Sequence, residues 1–184
     1  MALVYVFLAD GFEEVEGLTA VDLLRRAGAE TLTVSVMGRK RIEGSHGIAV
    51  EADLLFEDAV KKADLLVLPG GMPGTNYLRE HKGLAALLEK QYQAGEKVAA
   101  ICAAPSVLGG LGFLKERRAT SYPTCLDGLP VGEYLEEKVV IDGNVITSRG
   151  VGTAIPFALA LIESLFGKDK ADEIAASIIY ERQG

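Results

Sequence analysis

The chain has 184 residues, about half of them apolar and a quarter charged, with 21 glycines and a formal net charge of −7. That length suits one domain with a substantial core of its own, and the composition is that of an ordinary globular protein. The acidic balance excludes a nucleic-acid binder, which needs a basic face for phosphates. No run reaches the ~20 apolar residues of a membrane span.

The N-terminus, MALVYVFLADGFEEVEG, has no positive leading region, and its apolar run leads into acidic residues rather than a cleavage site. It reads as a first strand, LVYVFL (3–8), and the expected location is the cytoplasm. Cys102 and Cys125 are the only cysteines and offer no disulfide framework. Val15 to Ala27 has helical periodicity and ends at Gly28; TLTVSVM (31–37) is a second strand. GRKRIEGSHGIAVEAD carries the turn chemistry of a small hairpin. DLLVLPGG (64–71) is a third strand, followed by mostly helical sequence to about Gln93. KVAAIC (97–102) is a fourth strand, and APSVLGGL begins a helix at once. Residues 115–136 read as irregular, with Pro123 and Pro130 as breakers. KVVIDGNVITS (138–148) is a hairpin turned at Asp142-Gly143-Asn144. Helices over Gly152 to Phe166 and Lys170 to Tyr180 close the single domain, 1–184.

Strands alternating with helices predict a mainly parallel sheet covered on both faces. Ligands of such sheets gather outside the carboxyl ends of the strands. Three strand ends stand out: residues 9–16, Pro69-Gly70-Gly71, and 101–104. In VAAICAAPS the strand stops at Cys102 and a helix starts within two residues, a nucleophile-elbow pattern with alanines in place of glycines. The positive end of that helix would lower the thiol pKa, and Pro105 suits its first turn. A small core cysteine is the plainer reading of the same residue.

Glu13 and Glu14 read as an acidic first turn. Glu16, flanked by Val15, Leu18 and Thr19, falls on the inner side of the helix, where its carboxyl would stay protonated and donate to a thiolate. Gly70 and Gly71 could offer backbone amides to an oxyanion; LPGGMPGT lacks the ending of a phosphate-binding loop. His81 in YLREHKG reads as a solvated helix end, and Arg25 and Arg26 as cations at a helix C-terminus.

ADGFEEVEGLTAVDLLRRAG, ADLLVLPGG, VAAICAAPSVL and VITSRGVGTA, taken together, resemble the ThiJ/PfpI superfamily, in particular its DJ-one and YajL-like branches. The resemblance runs from about residue 5 to 165. It implies a flavodoxin-like three-layer sandwich with a nucleophile elbow, generally a homodimer. It makes Cys102 the nucleophile, Glu16 its protonated partner, and the amides of Gly71 and Ala103 the oxyanion site. The protease-like branch has a His after the nucleophile, where this chain has Ala103; the DJ-one protein has a His where this chain has Tyr122. A peptidase is therefore not expected. Tyr122 could still donate to a substrate oxygen. His46, where the DJ-one protein carries an Arg, and Arg149 are further candidates for the pocket, His46 through the partner subunit.

The resemblance implies cofactor-free and metal-free chemistry on small reactive carbonyls such as methylglyoxal and glyoxal, or on glycated proteins: a glyoxalase or deglycase. The alternative is an oxidative-stress sensor and chaperone acting through oxidation of Cys102. Cys125 packs under a loop or serves as a resolving thiol.

Overall fold

The computed structural model describes residues 1–182. Strand β1 (Leu3–Leu8) is buried along its whole length. Its side chains alternate between faces, as a two-residue period requires. Val4, Val6 and Leu8 enter one core; Leu3, Tyr5 and Phe7 enter the other. Helix α1 (Glu14–Arg26) follows, then β2 (Glu30–Ser35), the antiparallel pair β3 (Arg41–Glu43) and β4 (Ala49–Glu51), and a short β5 (Leu54–Leu55). Next come β6 (Leu65–Leu68), α2 (Gly74–Glu80), α3 (Lys82–Gln93), β7 (Lys97–Ile101) and α4 (Pro105–Gly110). The chain continues through β8 (Arg118–Ala119), β9 (Glu133–Tyr134), β10 (Val139–Asp142) and β11 (Val145–Ser148), and ends in α5 (Ala154–Phe166) and α6 (Lys168–Ser177).

Seven strands form the main sheet in the order β10-β11-β7-β6-β1-β2-β5. Every neighbouring pair is parallel except β10 with β11. Val21 and Leu24 of α1, Phe157 and Leu161 of α5 and Ile174 of α6 fill the core on one face. Leu78 of α2, Leu84 and Leu88 of α3, and Val107 and Leu108 of α4 fill the other. The mainly parallel sheet covered on both faces is what the alternating pattern predicts, and the whole is the flavodoxin-like sandwich that the resemblance implies. Leu68 pairs with Ala100, and Ile101 with Ser148, so the carboxyl ends of β6, β7 and β11 stand side by side with that of β1.

Four expectations shift in detail. β2 stops at Ser35 because the Ser35 hydroxyl takes the Met37 N–H at 3.1 Å and turns the chain out of the ladder. The helical stretch to Gln93 is two helices, broken at His81. Residues 115–136 contain a small parallel pairing, β8 with β9, moored by Arg117 donating to the Asp142 carbonyl at 2.9 Å. The last helix begins at Lys168, directly after Gly167 at φ +88°, and ends at Ser177, before Tyr180.

Candidate active site

Glu16 reaches the site because of helical geometry. Ala20, Leu23 and Leu24, which lie four, seven and eight positions on, share its face and are buried with it. Glu13 is the N-cap: its Oε2 accepts the Glu16 N–H at 2.8 Å. The Glu16 side chain is only 1% exposed. Its Oε2 accepts the Gly70 N–H at 2.9 Å, and its Oε1 is buried with no hydrogen-bond partner among the described residues. Burial, reinforced by the charge of Glu13, pushes this carboxyl up to about 7.

Cys102 sits where β7 gives out. Its N–H still donates to the Ser148 carbonyl at 3.0 Å, and then its own φ swings to +66°. A non-glycine residue there costs on the order of 1–3 kcal/mol, a strain of the kind held at functional sites. The turn aims the half-buried thiol at the Glu16 carboxyl and at the amides of Gly71 and Ala103. Those amides favour the charged sulfur, but burial outweighs them, and Glu16 adds its charge and its acceptor; the thiol is pushed up to about 12. The expectation from the helix terminus alone pointed the other way. The reason is structural: α4 is six residues long, too short for much of a dipole, while the sulfur lies largely out of water.

The two glycines divide the work. A Cβ on Gly70 would stand 2.6 Å from both Cys102 Cβ and Glu16 Oε2, so only glycine leaves room for those two side chains to meet here. Its amide is committed to Glu16 and is not the oxyanion donor that the double glycine suggested. Gly71, at φ +92°, turns its amide to the sulfur. The Tyr122 N–H donates to the Cys102 carbonyl at 2.9 Å, which brings its ring, 55% exposed, to the mouth of the site. Arg149 braces the loop beneath: its Nε donates to the Ser121 carbonyl at 3.4 Å.

His46 lies elsewhere in this chain. It is exposed, its N–H donates to Glu14 Oε1 at 2.7 Å, and its Nδ1 lies 3.0 Å from Glu14 Oε2. Glu14 is therefore more than a first-turn charge. It is 4% exposed and anchors the loop between β3 and β4; burial by itself would raise its carboxyl, but the donors of His46 and Ile48 together outweigh it and hold the carboxyl down at about 2. Glu13, Glu14 and His46 bring three donor atoms within 4.8 Å of one another, the grouping among the described residues that could ligate a cation. His81 is half-buried rather than solvated: its Nδ1 caps α3 by accepting the Leu84 N–H at 3.0 Å, and its ring packs 4.4 Å from that of Phe56. Arg25 ties Asp53 at 2.8 Å and Arg26 ties Asp22. Cys125 answers first to burial, which raises its thiol, and next to Arg79, which opposes the rise.

Gly150 and Thr153 were missed. A Cβ on Gly150 would lie 3.8 Å from Glu16 Oε1 and 3.7 Å from Tyr122 Cδ2, so this glycine faces the site. The signal was available, since β11 is a fourth strand end, directly beside β7.

The DJ-1/PfpI family model matches residues 2–164. Protein DJ-1 homolog A of Arabidopsis thaliana is 41% identical over 180 residues, covering 96% of this chain and 46% of that protein. The chain thus spans less than half of the Arabidopsis relatives it matches. The glutathione-independent glyoxalase DJR-1.2 of Caenorhabditis elegans is 35% identical over 165 residues, covering 88% of this chain and 87% of that one. The solved structure of oxidized Toxoplasma gondii DJ-1 superimposes with a TM-score of 0.95 at 38% identity, covering 99% of this chain and 100% of that one. With its elbow cysteine, buried glutamate and double glycine in family order, the chain belongs to the DJ-1/PfpI family.

Proposed function

We propose that this protein converts small 1,2-dicarbonyls such as methylglyoxal and glyoxal, or their adducts on proteins, to hydroxy acids, with Cys102 as nucleophile and without a cofactor. One observation carries the reading. A nucleophile too buried to ionise alone is paired with a carboxyl poised near 7, where a general base works best at neutral pH. The name of the C. elegans relative points the same way.

Glu16 takes the proton from Sγ as the sulfur attacks the aldehyde carbon. A C–S bond forms, and the carbonyl π pair moves to oxygen, facing the amides of Gly71 and Ala103. Glu16 returns the proton to that oxygen, giving a hemithioacetal. It then carries the proton of the first carbon to the second, while the hydroxyl proton passes between the two oxygens. The product is a hydroxyacyl thioester, with no external oxidant. Water cleaves it, releasing the hydroxy acid and restoring the thiol. The family expectation of a cytoplasmic homodimer travels with this reading.

The test is incubation with methylglyoxal in the absence of glutathione, beside Cys102→Ser. Many lactates per subunit, lost in the variant, are expected. Consumption of one equivalent at most, or equal loss with both proteins, overturns the catalytic reading. The second reading, a sensor in which Cys102 is oxidised, draws on the oxidised state of the Toxoplasma relative. A thiol raised to about 12 is slow to oxidise unless Glu16 first takes its proton, so this reading depends on the same pair.

A further inference from the structure

The mechanism above uses one oxygen of Glu16 for the Gly70 amide and leaves Oε1 buried and unpartnered. A buried carboxyl oxygen with no donor or acceptor costs on the order of 1–3 kcal/mol, and it is seldom left so without a use. Next to it is the space that the missing side chain of Gly150 leaves. A Cβ built on Gly150 would fall into that space, at van der Waals distance from both Oε1 (3.8 Å) and Tyr122 Cδ2 (3.7 Å). Alanine would fit there without overlap, and Gly150 is extended, at φ 162°, so its backbone does not require glycine. What glycine provides is the room.

The room is held open by Thr153. Its Oγ1 accepts the N–H of Arg149 at 3.2 Å and of Gly150 at 3.1 Å, lies 3.0 Å from the Gly150 carbonyl, and meets the Ser148 hydroxyl at 2.7 Å. Ser148 in turn donates at 2.6 Å to the carbonyl of Lys138, just before the neighbouring strand β10. The turn over Glu16 is therefore fixed to the sheet through one hydroxyl.

We propose that Gly150 is a specificity-determining residue: the space beside it, between the Tyr122 ring and Glu16 Oε1, receives the second oxygen of a substrate with two vicinal oxygens, and Thr153 is the positioning residue that keeps it open. The inference deepens the dicarbonyl reading and rests on it. The first carbonyl oxygen faces the amides of Gly71 and Ala103. The proton leaving Sγ lands on Glu16, and until Glu16 returns it to the first oxygen, Oε1–H holds the second oxygen by a hydrogen bond. A simple aldehyde has no atom for this position and leaves Oε1 unpartnered.

The experiment measures reversible protection of Cys102 from iodoacetamide by methylglyoxal and by propionaldehyde, in wild type and in Gly150→Ala. Because the two aldehydes differ in electrophilicity, the quantity read is the ratio of their protection constants. That ratio is expected to fall at least fivefold in Gly150→Ala, about the worth of one buried hydrogen bond. Thr153→Val, which leaves the glycine in place but unties it, should lower the ratio too, and Thr153→Ser should restore it. An unchanged ratio in folded Gly150→Ala overturns the assignment, as does an unchanged ratio in Thr153→Val if the alanine variant does not fold. The measurement needs no turnover. If wild type makes no lactate, the proposed activity fails while the ratio still decides whether the second-oxygen site exists.

Discussion

Replacing Glu16 by Gln removes one titration and keeps the side-chain shape, including an oxygen for the Gly70 amide. In the wild type this carboxyl rises from its ordinary 4.5 to about 7. At about 1.4 kcal/mol for each tenfold change in proton affinity, the shift amounts to about 3 kcal/mol. The sign follows from linkage. Between pH 4.5 and 7 the folded state holds the proton that the unfolded chain has lost, so stability falls as pH rises through that window and levels off above 7. Glutamine has nothing to titrate. The stability of Glu16→Gln relative to wild type should therefore improve by about 3 kcal/mol from pH 4.5 to pH 7.5. The other groups leave this difference alone. Glu14, held at about 2, titrates below the window, and Cys102, pushed to about 12, titrates above it. His46, raised by Glu14, loses its contribution as pH rises from its ordinary 6.5 upward, but does so in both proteins. Urea unfolding of the two proteins at half-unit pH intervals measures the difference. A gap that stays constant within about 0.5 kcal/mol, the scale of an ordinary surface substitution, would refute the claim that burial governs this carboxyl, and with it the general-base role.

Two further outcomes concern the backbone of the site. Gly71→Ala is expected to lose about 3 kcal/mol or more of stability in urea unfolding. The new Cβ would meet backbone atoms, Glu13 N and Gly11 O, at 2.4 Å, at a φ of +92°. At the elbow the usual order of alanine over glycine should invert: Cys102→Gly should be more stable than Cys102→Ala by about 1 kcal/mol, because φ is +66° there. Equal midpoints for these two variants would show that the elbow relaxes once the thiol is gone.

The parts of this molecule legible in the sequence are those governed by a short period. LVYVFL alternates between two cores and could only be a strand covered on both faces. The burial of Glu16 was anticipated, but from the wrong neighbours: of Val15, Leu18 and Thr19, Val15 is exposed and the other two only half-buried, and the face that 3.6 residues per turn buries with Glu16 is Ala20, Leu23 and Leu24. The structure turns on three long-range facts that no local pattern encodes. The Gly70 amide is spent on Glu16, 54 positions away, so one of two apparently equivalent glycines drops out of the oxyanion site. The buried carboxylate of Glu14 answers to a loop more than thirty positions on, and it is this carboxylate that His46 binds within the chain. And the helix terminus credited with activating the thiol is outweighed by desolvation, a quantity set by the whole fold and not by the residues flanking Cys102.

That last reversal changes what the site must do. A thiolate made by a helix dipole would be reactive at rest, and available to any electrophile or oxidant reaching the pocket. A buried thiol whose proton can leave only to Glu16 is reactive when Glu16 can take that proton and when the charge then formed has somewhere to go. Both conditions are met together when an electrophile's oxygen faces the amides of Gly71 and Ala103. The strain at Cys102 serves the same end, since it fixes the sulfur against carboxyl and amides at once. Selectivity then resides in the pairing of Cys102 with Glu16 rather than in the cysteine alone. On the proposed reading, a residue as far along the chain as Gly150 can then bear on which carbonyls react, through the single atom Oε1 that its Cβ would lie beside.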